Sequence, residues 1–196
     1  MSATPTEKPG AGATAEATPD AAPEVPPYLP VPEGVELTDQ GSGLELGRSA
    51  TVAWTPRRDV VGVLDIRVNR VERAAPEELA GFRLDAAQRR SSLFYVRGEV
   101  TNVGRTDLAG VPVPLYLVDG KDTLIQATSF AAPFEPCASD PMPTPFATGD
   151  KFRVCLVYLV PDRGRLQAVS FRPTQEYYPI TWTGKVEQPG STGQRR

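Results

Sequence analysis

Ten residues, Lys151–Val160, constrain the fold more than any other stretch of this chain. Phe152, Val154, Leu156, Tyr158 and Val160 alternate with Cys155, Val157 and Leu159, so an extended strand here is apolar on both faces. Such a strand must be covered on both sides, which predicts a central place in a packed sheet. Turn residues bound it: Thr148-Gly149-Asp150 before and Pro161-Asp162-Arg163-Gly164 after. The longest unbroken apolar run, Val154 to Val160, falls far short of the ~20 residues that span a bilayer.

The rest of the body repeats this grammar in shorter pieces. Strands are expected at Ser49–Trp54, Val60–Val71, Leu93–Val103, Val113–Val118, Thr123–Thr128, Leu166–Phe171 and Ile180–Thr183. In the second of these Leu64, Ile66 and Val68 face one way and Asp65, Arg67 and Asn69 the other. Asp119-Gly120 suits a tight hairpin, because both residues tolerate positive φ. Helix is confined to one connection, Pro76 to Arg90, where Pro76 suits a first helical position and Asp85 and Gln88 have the capping-box spacing of a second short turn of helix. Twenty-one prolines and 17 glycines exclude an all-helical bundle. The expected fold is all-β, an antiparallel sandwich of about seven strands with one short helical connection.

Charge divides the chain differently. Up to residue 46 eight acids face Lys8 alone, whereas the remainder is mildly basic, and the whole chain carries −3. From Met1 to Pro32 the sequence is mostly Ala, Thr, Pro, Glu and Gly, with too little apolar surface to offset the entropy of ordering it. Residues 1–46 therefore read as a disordered acidic linker, 47–184 as the sandwich and 185–196 as a disordered C-terminal tail. The start shows no basic segment followed by an apolar run. That leaves a cytoplasmic protein, or an exported one whose signal is absent here; the spacer-like composition favours the second.

Histidine is absent, which removes Ser/His/Asp and Cys/His nucleophile systems and histidine metal ligands. No phosphate-cradling glycine loop occurs, and Gly41-Ser42-Gly43 with Gly47 follows no strand and opens no helix. The chain is expected to be no enzyme and to need no cofactor. The arginines between Arg57 and Arg97 are interleaved with acids, so they read first as a solvated mixed-charge face and second as a contact for an anionic polymer or lipid surface. Nucleic acid would need a stronger basic excess.

Cys137 and Cys155 are the only cysteines, 18 positions apart across a proline-rich excursion. Closing that loop as a disulfide contributes ~3 kcal/mol by the loop-entropy estimate and requires an oxidising compartment. Two unrelated buried thiols are the alternative. Two further clusters are candidates for binding. Asp107, Asp119 and Asp122 are loop carboxylates suited to calcium, although turn formation explains them unaided. Tyr177, Tyr178 and Trp182 would form a ligand or partner surface, with edge or core packing as the plainer role.

Several stretches resemble a group of secreted or membrane-anchored actinobacterial proteins with an immunoglobulin-like domain of unknown function, some of whose relatives carry a mistaken telomeric-repeat-binding label. They are Phe94-Tyr95-Val96-Arg97 through Thr101-Asn102-Val103-Gly104, Val113-Pro114-Leu115-Tyr116 through Asp119-Gly120, and Phe134-Glu135-Pro136-Cys137. Cys155-Leu156-Val157-Tyr158-Leu159-Val160-Pro161, Val169-Ser170-Phe171-Arg172-Pro173 and Ile180-Thr181-Trp182-Thr183-Gly184 complete them. The resemblance spans about Val60 to Gly184. It implies an immunoglobulin-like sandwich outside the membrane, behind an anchor and a disordered spacer, with no enzyme activity. The expected function is an extracytoplasmic module, secreted or in the cell envelope, that presents loops or a sheet edge to a protein or polymer partner. The alternative is a small-ligand or calcium-binding sandwich.

Overall fold

A computed structural model describes Met1, residues 28–132 and residues 134–188. The expected linker over 2–27 and the tail over 189–196 lie outside the described residues. Among the described residues ten strands form two layers. They are β1 (Gly43–Glu45), β2 (Ser49–Arg57), β3 (Val60–Ala74), β4 (Ser92–Asn102), β5 (Tyr116–Asp119), β6 (Leu124–Gln126), β7 (Lys151–Val160), β8 (Leu166–Phe171), β9 (Ile180–Thr183) and β10 (Val186–Glu187). One sheet runs β1-β9-β8-β5-β6. In the other, β3 carries β4 and then β7 on one side, while β2 and β10 share its opposite side. The all-β sandwich inferred from the sequence is the observed architecture.

The strand pattern explains the packing between the sheets. Leu64, Ile66 and Val68 of β3 meet Val96 and Val100 of β4 and Val154, Leu156, Tyr158 and Val160 of β7 in the main core, facing Leu117, Val169, Phe171, Ile180 and Trp182 of the other sheet. The bulge between Val68 and Arg70 resets the alternation, so that Val71 points inward again and Arg70 outward. Opposite that bulge the backbones approach closely. A Cβ on Gly98 would overlap the Arg67 carbonyl oxygen. Gly98→Ala is therefore expected to destabilise the fold by about 1–3 kcal/mol, read from urea unfolding. An unchanged midpoint would mean that the bulge yields freely.

Four expectations need correction. First, β7 is not central: β4 occupies that place, and β7 lies at the end of its sheet. Both faces of β7 are covered nonetheless. Cys155, Val157 and Leu159 pack into a second cluster on the outer face, with Leu79, Leu93, Tyr95, Phe134 and Cys137. Coverage of two faces specifies burial, and burial came here from loops rather than from a further strand.

Second, the boundary after residue 46 falls inside the folded body. Residues 28–46 form a strap along the edge of β2. The Tyr28 hydroxyl donates to the Ala53 carbonyl (2.7 Å) and accepts from the Ala53 amide (3.1 Å), and the Thr38 amide donates to the Thr51 carbonyl (2.9 Å). Leu44 and Leu46 then pack on the core, and β1 pairs with β9. At the other end, Val186–Glu187 of the expected tail pairs with β3. Both of these pairings are parallel, so the sandwich is antiparallel except at these two short strands.

Third, the two short helical turns of the Pro76–Arg90 connection, Pro76–Leu79 and Gln88–Arg90, are 3-10, and helix is not confined to that connection, because a third 3-10 turn, Pro161–Arg163, follows β7. The local signals act as read: Glu78 accepts from the Ala75 amide (3.1 Å), and Asp85 and Gln88 cap each other reciprocally. They nucleate single turns, and Leu79 is the one fully buried anchor. Fourth, β5 starts at Tyr116 instead of Val113. Pro112 and Pro114 lack the amide donors that a paired strand needs.

Candidate functional site

The Cys137–Cys155 disulfide is formed, with the two Cα atoms 5.2 Å apart. Its position explains what it does. As the last strand of its sheet, β7 would present open backbone groups, a template for pairing with another chain. Residues 128–132 and 134–139 cover that edge. The Thr128 amide donates to the Val157 carbonyl (2.7 Å), the Ser139 amide to the Cys155 carbonyl (2.9 Å), and the Val157 amide to the Ser139 hydroxyl (3.1 Å). The disulfide pins this cover to β7, and Phe82, Phe130, Phe134 and Tyr95 pack behind it in tilted and edge-to-face pairs with ring centroids 4.8 to 6.0 Å apart. The Tyr95 hydroxyl donates to Glu78 (2.8 Å) and ties in the first 3-10 turn; burial, then that carboxylate, raises its pKa. Both sides of the sheet built on β3 and β4 are thus occupied, β2 by the strap and β7 by the pinned segment.

The loop aspartates are built into turns. Asp107 Oδ1 accepts from the amides of Ala109 and Phe146, both at 2.9 Å, and Asp119 Oδ1 from those of Lys121 (2.8 Å) and Thr123 (2.9 Å). Asp122 shapes the same hairpin through its amide, which donates to the Asp119 carbonyl. Among the described residues no three acidic or cysteine side chains converge as metal ligands. Excess calcium is expected to leave the melting temperature unchanged, and an upward shift would show that a calcium site exists.

The same hydrogen bonds act on acidity. The Phe146 amide, then that of Ala109, holds the Asp107 carboxyl below the usual carboxylate range, and the Thr123 amide does so for Asp119. A carboxyl depressed in the folded state contributes stability above its unfolded pKa of about 4, and loses it as the pH falls through the folded value. Asp119→Asn is expected to melt below the wild type at pH 7 and to converge on it in strong acid. A gap independent of pH would contradict this role.

The aromatic cluster is divided by the fold. Trp182 is fully buried, its indole N–H donating to the Arg48 carbonyl (2.9 Å). Tyr177 is buried between Tyr28 and Phe171 in edge-to-face contacts, and burial raises its pKa. Tyr178 alone is exposed, at 74%. Trp182 and Tyr177 are core residues, and the three do not form one surface.

Two concavities were not singled out from the sequence. The larger, about 600 Å³, takes in Leu156 of β7, the end of β2 and the segments 110–116, 126–129 and 139–141. Trp54, Val111, Val113 and Leu156 form its floor, five prolines stand in its walls (Pro56, Pro112, Pro114, Pro141 and Pro173), and Thr128, Ser129 and Ser139 bring hydroxyls to one side. Pro112 and Pro114, which keep the chain ahead of β5 out of the sheet, are part of its lining, and no periodicity announces them. The smaller, about 400 Å³, lies on the outer face of β3, β4 and β7, among Asn69, Arg70, Arg97, Glu99 and Arg153.

No protein-family model matches this chain, and neither does any curated protein. Among solved structures it is similar to MPT63, a secreted protein from Mycobacterium tuberculosis, at a TM-score of 0.50 and 12% identity over 75% of this chain and 100% of that one. At that identity the likeness concerns the fold: the chain shares its all-β architecture with MPT63.

Proposed function

We propose that the chain is a non-enzymatic, extracytoplasmic immunoglobulin-like module that engages an envelope protein or polymer through the groove beside β7 and the loops around it. The observation that carries this reading is the Cys137–Cys155 disulfide. It closes the edge of β7, and such bridges form and persist in oxidising compartments. The secreted character of MPT63 supports the same location. A contact through an edge of the sheet built on β3 and β4 is disfavoured, because the strap and the pinned segment occupy both sides. The groove has the volume and the mixed lining of a site for a partner segment, with an apolar floor and hydroxyls on one wall.

The test is fractionation of cells after trapping thiols with an alkylating reagent. The protein is expected outside the cytosol with both cysteines bridged. Ser129→Trp, which plugs the groove from an exposed wall position, is expected to release it from the envelope without changing its melting curve. Recovery from the cytosol with two alkylated cysteines would overturn the location. Unchanged envelope association of the plugged variant would overturn the groove.

A further inference from the structure

The outer face of β3, β4 and β7 brings three arginines and two glutamates close together. The register sets Arg70 directly opposite Arg97, and Glu99 beside Arg153 in the adjoining row. Like charges opposite one another on a sheet are unfavourable. A single carboxylate offsets this pair, Glu72 holding Arg70 Nε at 2.7 Å and Arg97 Nε at 3.0 Å. Arg97 is fixed further by donating Nη2 to the Pro136 carbonyl (2.8 Å), next to the disulfide. Arg153 enters no ion pair among the described residues. The bulge after Val68 is what turns Arg70 outward, and bulges re-aim side chains in this way beside functional sites.

These three arginines edge the 400 Å³ concavity, which also holds Asn69 and Glu99. Guanidinium forks match the oxygens of a phosphate group. The amide of Asn69 and the carboxylate of Glu99 suit the hydroxyls beside such a group. We propose that this concavity binds a phosphorylated sugar or polyol, with Arg70 and Arg153 on the phosphate, Arg97 as the residue that positions Glu72 and Arg70, and Asn69 and Glu99 on the hydroxyls. This site is separate from the groove and does not depend on the role assigned to it.

The test is NMR titration of the full chain at constant ionic strength with glucose 1-phosphate, inorganic phosphate, glucose and polyglutamate as probes. Glucose 1-phosphate is expected to shift amides at Asn69–Arg70, Arg97–Glu99 and Arg153, and to bind about tenfold or more tightly than phosphate or glucose. Arg70→Gln/Arg153→Gln, changed at two exposed positions, is expected to lose that binding with its spectrum otherwise intact. Glu99→Gln is expected to narrow the preference for glucose 1-phosphate over phosphate. Equal binding of phosphate and glucose 1-phosphate would reduce the site to an unselective cationic patch. Tighter binding of polyglutamate would make it an acidic-peptide site. Either outcome, or shifts unaltered by the substitutions, would overturn the proposal.

Discussion

Replacing Cys137 and Cys155 together by alanine is expected to destabilise the fold by about 3 kcal/mol, from the loop of 18 residues that the bridge closes. For a domain of this size each kcal/mol moves the melting temperature by roughly 2–4 °C, so a fall of about 6–12 °C is expected in calorimetry. The loss is not spread evenly. Without the bridge, two backbone hydrogen bonds, the bond from the Val157 amide to the Ser139 hydroxyl and a set of packed aromatic rings still hold the segment from Thr128 to Ser139 at its ends on β7, but it can lift without global unfolding. Hydrogen exchange should therefore quicken first at Thr128, Ser139 and Val157. The exposed edge of β7 should then favour association between chains, seen as concentration-dependent oligomers. Uniform loss of protection, with no association, would mean that the bridge acts on the unfolded chain alone.

Trp182→Ala is expected to have an effect of similar or larger size, about 3–5 kcal/mol. The side chain is fully buried in the main core. It also sits where β9 pairs with both β1 and β8, opposite Leu44 and Val169, and its N–H reaches the Arg48 carbonyl. The cavity left by alanine would loosen β1 and the strap together. Trp182→Phe keeps most of the volume and loses the hydrogen bond, so its cost should be clearly smaller. Equal losses for the two variants would show that the hydrogen bond, and not the packing, is what matters. Urea unfolding of both variants decides it.

The strands were legible where period-two alternation was strong. Lys151–Val160, Leu166–Phe171 and Ile180–Thr183 occur with the bounds read from the sequence, because each places alternate residues on a buried face. β3 was legible as far as Val71, although the parity change at its bulge was not, since Asn69 looks like any outward polar residue. The strap escaped notice for a different reason. Tyr28 and Thr38 act by capping individual backbone groups of β2, and hydrogen bonds of that kind leave no hydrophobic period. Asn102 belongs to the same class. Its side chain donates to the carbonyls of Thr106 and Phe146 and accepts from the Gly104 amide, which explains why a Thr-Asn-x-Gly sequence ends β4.

The candidate sites divide along the same line. The disulfide was inferable from two cysteines and a flexible loop between them. Its service as an edge cover was not, because β7 read as central from its composition and only the pairing order shows it to be last in its sheet. Trp182 and Tyr177 read equally well as core or as surface, since an aromatic residue near a strand end serves either, and the fold placed both inside. Both concavities are lined in part by irregularities, the proline pair ahead of β5 and the bulge in β3.

Peptide mapping of the unreduced protein after alkylation and proteolysis tests the central claim most directly. A single cross-linked species joining the Cys137 and Cys155 peptides, with neither cysteine alkylated, is the predicted result. Two separately alkylated peptides from folded protein would leave the cover on β7 without its covalent anchor and would contradict both the architecture of that edge and the oxidising compartment proposed for it.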